Sequence, residues 1–146
     1  QNDYENAPVI LWLQGGPGTS SLFGLFRELG PFSVAEDNAT LIENPYSWHK
    51  NHSLIFIDNP VGTGKLYASA IRGYIRVQFL LNIAKGFSFT DFSAGLATNQ
   101  SQIGEELYSA LIQFFTLFSE LRSLPFFIAG ESYAGENITT FIFLQF

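Results

Sequence analysis

Ser132 is the residue of this chain best suited to covalent chemistry. It sits in Gly130-Glu131-Ser132-Tyr133-Ala134-Gly135, after the apolar run Leu124-Pro125-Phe126-Phe127-Ile128-Ala129. Glu136-Asn137-Ile138-Thr139-Thr140-Phe141 follows and can begin a helix. Strand, sharp turn, serine and helix make the geometry of a nucleophile elbow, which holds the hydroxyl clear of the sheet. Small residues flank such a serine because strand and helix backbone crowd there. The spacing departs from G-x-S-x-G: Ala134 stands where the second glycine belongs, and Gly135 comes one residue later. An ordinary Gly-rich turn would carry much the same residues, so the assignment needs a second feature.

That feature is Val9-Ile10-Leu11-Trp12-Leu13-Gln14-Gly15-Gly16-Pro17-Gly18-Thr19-Ser20-Ser21, an apolar strand that runs into a Gly/Pro loop. Glycines let peptide N–H groups approach a ligand and point into a site. Acyl transfer needs such donors where an oxyanion forms. Taken alone, the loop is also readable as a structural turn.

The elements that would position these residues follow from apolar patterning. Residues 7–13 read as a short buried strand bounded by Pro8 and the Gly loop. Leu22 to Leu29 reads as a short helix with Ser20 or Ser21 as its cap, ended by Gly30-Pro31. Phe32-Ser33-Val34 resumes as a strand, and Asn44-Pro45-Tyr46-Ser47-Trp48 is a turn with aromatic contacts. Ser53 to Asp58 is a second buried strand that ends at Asn59-Pro60. Continuous apolar strands followed by crossovers suit a parallel sheet covered on both faces. Thr98 to Leu121 is the clearest helix, with Ile103, Leu107, Ala110, Leu111, Phe114, Phe115 and Phe118 at steps of three and four, predicted to pack as core. Thr98 or Asn99 would cap it, and Glu105 and Glu106 lie near its positive end.

Bulk properties narrow the class. The 146 residues suit one domain at most, and 47% hydrophobic with 16% aromatic residues is enough for a core. Thirteen acidic residues against seven basic ones argue against a nucleic-acid partner. No run of about 18 apolar residues suggests a membrane span. There is no cysteine, no methionine and no signal sequence, and the abrupt start at Gln1 reads as the middle of a longer protein. Four N-x-[ST] sequons, at Asn38, Asn51, Asn99 and Asn137, point to a secretory, lysosomal or extracellular route. Asn38, in the polar turn Glu36-Asp37-Asn38, is the best acceptor; Asn51 and Asn99 are further candidates. Asn137, just past the elbow, should be packed away.

Three motifs in fixed order, Leu11-Trp12-Leu13-Gln14-Gly15-Gly16-Pro17-Gly18, Ile57-Asp58-Asn59-Pro60-Val61-Gly62 and Gly130 to Gly135, resemble the serine carboxypeptidase family. Gln14 and the stretch Ile57 to Gly64 look most like its vitellogenic-like branch; most of the family has Asn at Gln14. The resemblance covers most of residues 7–64 and 87–135 and implies the early part of an α/β-hydrolase fold, up to the nucleophile elbow. It implies removal of C-terminal residues from peptides, with no metal or organic cofactor. By the same resemblance Ser132 is the nucleophile, and the backbone N–H groups of Gly16 and Tyr133 form the oxyanion hole. Trp12, Gln14 and Glu131 hold the substrate's C-terminal carboxylate, and Glu28 shares a proton with Glu131. Two close carboxyls beside a substrate carboxylate cannot all stay ionised, so such a site favours acid.

A hydroxyl needs a base, and the family order is Ser, then Asp, then His. Neither Asp nor His follows Ser132, and His49 and His52 precede it. The expectation is therefore a truncated domain: nucleophile, oxyanion hole and carboxylate clamp without the base, inactive alone. Another serine hydrolase such as an esterase is an alternative, though it has no need of a carboxylate clamp. A non-catalytic secreted binding or decoy protein is the other.

Residues 65–86 interrupt the resemblance. They carry Lys65, Arg72, Arg76 and Lys85 and no acid, with Leu66, Tyr67, Ala70, Ile71, Tyr74 and Ile75 at helical spacing. A basic amphipathic helix, a surface insertion and translated intron sequence are the three readings. The last is favoured because Gly64-Lys65 is compatible with a splice-donor sequence. Gly62-Thr63-Gly64-Lys65 is not a P-loop, because Asn59 and Leu66 stand where it needs Gly and Ser or Thr. Residues 136–146 are read as a divergent tail.

Overall fold

The structure, a computed structural model, describes residues 6–61, 88, 90–91 and 95–143. Five short segments become strands: β1 (Val9–Leu13), β2 (Phe32–Val34), β3 (Leu41–Glu43), β4 (Ser53–Ile57) and β5 (Phe126–Gly130). Two helices follow the apolar periodicity, α1 (Gln100–Leu117) and α2 (Ala134–Phe143). The main sheet has the order β4-β1-β5 and both pairings are parallel. β1 is buried at all five positions, which is why its sequence is an unbroken apolar run rather than an alternation. β2 and β3 form a separate antiparallel pair.

The register sets the site. Leu13 lies opposite Ile57 on one side and Gly130 on the other. The three strands thus end level, and the Gly loop, Asp58 and Glu131 emerge side by side at their carboxyl ends. β4 lies to one side of β1 and β5 to the other, so this edge is a topological switch point, where open α/β sheets form crevices.

Strand alternation divides the two faces of β1. Leu11 and Leu13 join Leu107 and Leu111 of α1 and Ala134 of α2 in the core, with Ile55, Ile57, Phe115, Phe126, Ile128, Ile138 and Phe141 packed around them. Trp12 faces the other way and meets Trp48 edge-on, with ring centroids 6.0 Å apart.

The loop after β1 is bolted to β4. The Asp58 carboxylate accepts from the Ser20 hydroxyl at 3.0 Å and from the Ser21 N–H. The Ser21 hydroxyl donates to the Ile57 carbonyl at 2.6 Å and accepts from the Gln14 N–H at 3.1 Å. Ser20 Oγ also accepts from the Leu22 N–H at 3.2 Å, in line with its expected place at a helix start.

Several expectations are corrected. The helix expected over Leu22 to Leu29 is present from residue 22 to 28, but its Gly24–Glu28 part is π-helical, closed by Leu29 N–H donating to the Gly24 carbonyl. The helix expected over 98–121 is shorter, and a 3₁₀ turn (Ser119–Ser123) carries the chain from α1 towards β5. Asn99 caps α1 by accepting from the Gln102 N–H at 2.9 Å. Phe118, expected in the core, is 44% exposed because α1 stops one residue before it. Ala110 also faces outward, so the buried stripe is Ile103, Leu107 and Leu111. Residues 136–143, where a helix was expected to begin, lie wholly within α2. β3 was not expected, since Leu41-Ile42-Glu43 is exposed and too short for a clear pattern. The expected insert at 65–86 and the Gly62-to-Lys65 stretch lie outside the described residues. Among the described residues, no helix is long and apolar enough to cross a membrane.

Candidate active site

Ser132 adopts φ 58°, the left-handed region that disfavours a side chain bearing Cβ. Its neighbours make the turn tight. The Glu131 N–H donates to the Leu13 carbonyl at 3.3 Å, holding the end of β5 to β1. Ala134 N–H donates to the Glu131 carbonyl at 3.1 Å and Gly135 N–H to the Ser132 carbonyl at 3.0 Å, which starts α2 directly after the serine. Ser132 itself is exposed.

The small residues have specific reasons. A Cβ on Gly130 would stand 2.6 Å from both the Ala134 Cβ and the Leu13 carbonyl oxygen. A Cβ on Gly15 would stand 2.7 Å from the Glu131 carbonyl oxygen and 2.9 Å from Ser132 Cβ and Tyr133 N. Nothing lies within 4 Å of the corresponding position on Gly135, whereas Ala134 is fully buried. The requirement for a small residue after the serine therefore falls on Ala134, which explains how the elbow tolerates its shifted glycine.

The Gly15–Gly16 loop packs against the elbow backbone. Among the described residues, neither the Gly16 N–H nor the Tyr133 N–H has an intramolecular acceptor. Gly16 is exposed at φ 112°. The Tyr133 side chain is anchored elsewhere: its hydroxyl donates to Gln100 Oε1 at 2.9 Å, and Gln100 Nε2 donates to Asn137 Oδ1 at 2.8 Å.

Beside the elbow, Trp12, Gln14, Glu28 and Glu131 converge. The Trp12 indole donates to Gln14 Oε1 at 2.8 Å, which turns the Gln14 amino group the other way. That group donates to Glu131 Oε2 at 2.7 Å and reaches Glu28 Oε1 at 3.5 Å. Gln14 is buried, and both carboxylates lie toward solvent. Desolvation chiefly pushes the Glu28 carboxyl above its ordinary value; the nearby Glu131 charge adds to this and the Gln14 bond opposes it. Glu28 and Glu131 thus meet at the one Gln14 amino group. Sequence reasoning missed Gly24, whose added Cβ would stand 2.3 Å from Trp12 Nε1. Its absence leaves room for the indole, and no motif marks the position.

His49 directly follows Trp48, whose ring meets Trp12. His52 directly precedes Ser53, which pairs with Val9 at the opposite end of the sheet from Ser132. Its Nδ1 lies 3.3 Å from the Trp48 carbonyl oxygen. Of the sequon asparagines, Asn38, Asn51 and Asn99 are exposed and Asn137 is fully buried.

Comparison with known proteins gives consistent matches. The serine carboxypeptidase family profile matches residues 1–73 and 82–143. It thus extends through 65–73, 82–86 and 136–143, beyond the span that the motifs alone suggested, and leaves 74–81 outside. The vitellogenic carboxypeptidase of Aedes aegypti is 45% identical over 97% of this chain and 25% of its own length. The venom serine carboxypeptidase of Apis mellifera is 45% identical over 94% of this chain and 24% of its own. The probable serine carboxypeptidase CPVL of Homo sapiens is 46% identical over 92% and 23%. A prohormone-processing carboxypeptidase of Saccharomyces cerevisiae, Kex1ΔP, superposes with a TM-score of 0.75 at 28% identity, over 99% of this chain and 26% of that one. The chain thus spans about a quarter of the length of the relatives it matches.

Proposed function

The chain belongs to the serine carboxypeptidase family, with part of its α/β-hydrolase fold, and from that premise we propose that residues 1–146 carry the nucleophile and substrate-recognition half of a carboxypeptidase site. Ser132 Oγ attacks the carbonyl carbon of the last peptide bond. The Gly16 and Tyr133 N–H groups receive the oxyanion. The amine departs with a proton, and water then hydrolyses the acyl ester on Ser132. Residues 133–146 hold neither Asp nor His, so they do not supply the base that takes the serine proton. No metal or organic cofactor enters these steps. A secretory route to a lysosomal or extracellular location goes with this reading, with Asn38, Asn51 and Asn99 as glycan acceptors.

The observation that carries the proposal is the position of the Trp12–Gln14–Glu28–Glu131 cluster. Glu131 immediately precedes Ser132, and its carboxylate is held by Gln14 at 2.7 Å. A peptide whose C-terminal carboxylate meets this cluster presents its last peptide bond to the adjoining serine. An esterase has no use for such a clamp. Substrate binding needs a proton on the Glu28–Glu131 pair, so binding strengthens in acid.

The test is release of the C-terminal residue from an N-blocked dipeptide by the longest reading frame that contains this chain. Release that Ser132→Ala abolishes supports the proposal. A folded product that neither releases the residue nor reacts with a serine-directed phosphonate at Ser132 overturns it. Such a product would favour the non-catalytic binding reading instead.

A further inference from the structure

The Gly24–Glu28 turn is too short to hold itself. Its closing bonds run from the Leu29 and Gly30 N–H groups to the single Gly24 carbonyl, and the carbonyls at such an end are left without internal partners. Residues 44–48 take the four successive carbonyls of Glu28, Leu29, Gly30 and Pro31. Asn44 Nδ2 donates to the Glu28 carbonyl at 3.2 Å and to the Gly30 carbonyl at 3.0 Å. Ser47 Oγ donates to the Leu29 carbonyl at 2.7 Å, and the Trp48 N–H reaches the same oxygen at 3.1 Å. The Asn44 N–H donates to the Pro31 carbonyl at 2.8 Å. The segment's own shape is fixed as well, since Asn44 Oδ1 accepts from the Tyr46 N–H at 3.0 Å. Trp48, at its end, lies edge-on against Trp12. One segment therefore grips two members of the cluster, Glu28 through its peptide and Trp12 through its ring.

We propose that Asn44 and Ser47 are positioning residues: through the carbonyls of Glu28, Leu29 and Gly30 they hold the Glu28 carboxyl at the Gln14–Glu131 pair. The inference rests on reading that cluster as a substrate-carboxylate site, but its geometric content stands without turnover. Glu28 faces the Glu131 carboxylate and the neutral Gln14 amide. Removing Asn44 or Ser47 side chains changes no charge, so any change in the titration of Glu28 reports its placement.

The test is carboxyl titration by ¹³C NMR of the chain with labelled glutamate, Glu28 and Glu131 being assigned with Glu28→Gln. In Asn44→Ala the Glu28 midpoint falls toward the ordinary range, because the carboxyl swings away from Glu131 into water. Ser47→Ala does the same to a lesser extent. A residue that merely stabilised the fold would lower the unfolding midpoint and leave both titrations unchanged. A folded Asn44→Ala or Ser47→Ala with wild-type titrations overturns the proposal. Should neither variant fold, amide exchange of the unaltered chain decides: a protected Trp48 N–H supports the grip, and free exchange removes it. None of these readouts uses substrate or activity, so failure here leaves the carboxypeptidase reading to its own test.

Discussion

The absent side chain of Gly15 backs directly onto Ser132: a Cβ there would lie 2.9 Å from the Ser132 Cβ and 2.7 Å from the Glu131 carbonyl oxygen. The Gly loop and the elbow are thus one packed unit across the ends of β1 and β5. The obstacle is largely backbone, which cannot swing aside. Gly15→Ala should destabilise the chain by about 1–3 kcal/mol, the usual result of overpacking. Urea unfolding measures it. Phosphonate labelling of Ser132 should also slow in the longest reading frame, because the same methyl presses on Tyr133 N.

Gln14 links the buried indole to the carboxylates, and its replacement exposes both sides. Gln14→Leu leaves Trp12 Nε1, whose bond to Gln14 is buried, without its acceptor. An unsatisfied buried donor costs about 1–3 kcal/mol. The same change removes the bond that opposes the raised Glu28 midpoint. Glu28 should therefore titrate higher still in Gln14→Leu, and an NMR titration that moved downward would contradict the proposed balance.

The Glu28 carboxyl gives a pH dependence of fixed sign. Its folded-state midpoint is raised above the ordinary 4.5, so folding favours the protonated form. That contribution is full in acid, below the unfolded value, and is lost as pH rises through the raised midpoint. Glu28→Gln retains the shape without the ionisation. The stability of the unaltered chain should fall relative to Glu28→Gln as pH climbs from 4.5 through that window, as followed by urea midpoints. A constant difference would mean that Glu28 does not titrate beside Glu131.

Asp37 predicts the reverse behaviour at a remote turn. Bonds from the Thr40 hydroxyl and from the Ala39 and Thr40 N–H groups hold its carboxyl down at about 2. A depressed midpoint contributes stability above the unfolded value and loses it as pH falls through the folded one. Thr40→Val removes the hydroxyl and should raise the Asp37 midpoint in an NMR titration, with no effect on Glu28. Thr40 is also the third residue of the Asn38 sequon, so the same variant should lose any glycan at Asn38 in a mass measurement of secreted protein.

What the sequence revealed follows from how local each cause is. β1, β4 and β5 are legible as unbroken apolar runs, although only β1 is buried at every position; β4, expected to be buried, is half-buried throughout, and Phe127 of β5 is 55% exposed. The elbow is legible because a left-handed turn between strand and helix restricts residue types over a few positions. The Trp12–Gln14–Glu28–Glu131 cluster was reached only through resemblance: Gln14, Glu28 and Glu131 are far apart in sequence and are joined by strand register and the π-helical turn. Gly24 had no signal, and Asn44 and Ser47 were read only as part of a turn. Their roles depend on a ring and on carbonyls contributed by other segments, and no periodicity records that. Phe118 misled for a related reason, since its spacing fits the helix but the helix ends before it.

Ser132 offers a direct measure of strain at the elbow. Its φ of 58° costs a residue with Cβ roughly 1–2 kcal/mol, whereas glycine enters this region freely. Glycine also raises the entropy of the unfolded chain, which offsets about 0.5–1 kcal/mol of that relief. Both Ser132→Gly and Ser132→Ala remove the exposed hydroxyl, so their difference isolates the backbone. Ser132→Gly should be the more stable, by a margin up to about 1.5 kcal/mol in urea unfolding. If Ser132→Ala is instead the more stable, the serine does not sit in a strained turn, and the case for a nucleophile elbow loses its backbone support. If the glycine variant gains as expected, the fold carries strain at the residue proposed to attack the peptide bond. That strain persists because the β1–β5 pairing, the Gly15 contact and the start of α2 together leave the backbone no alternative.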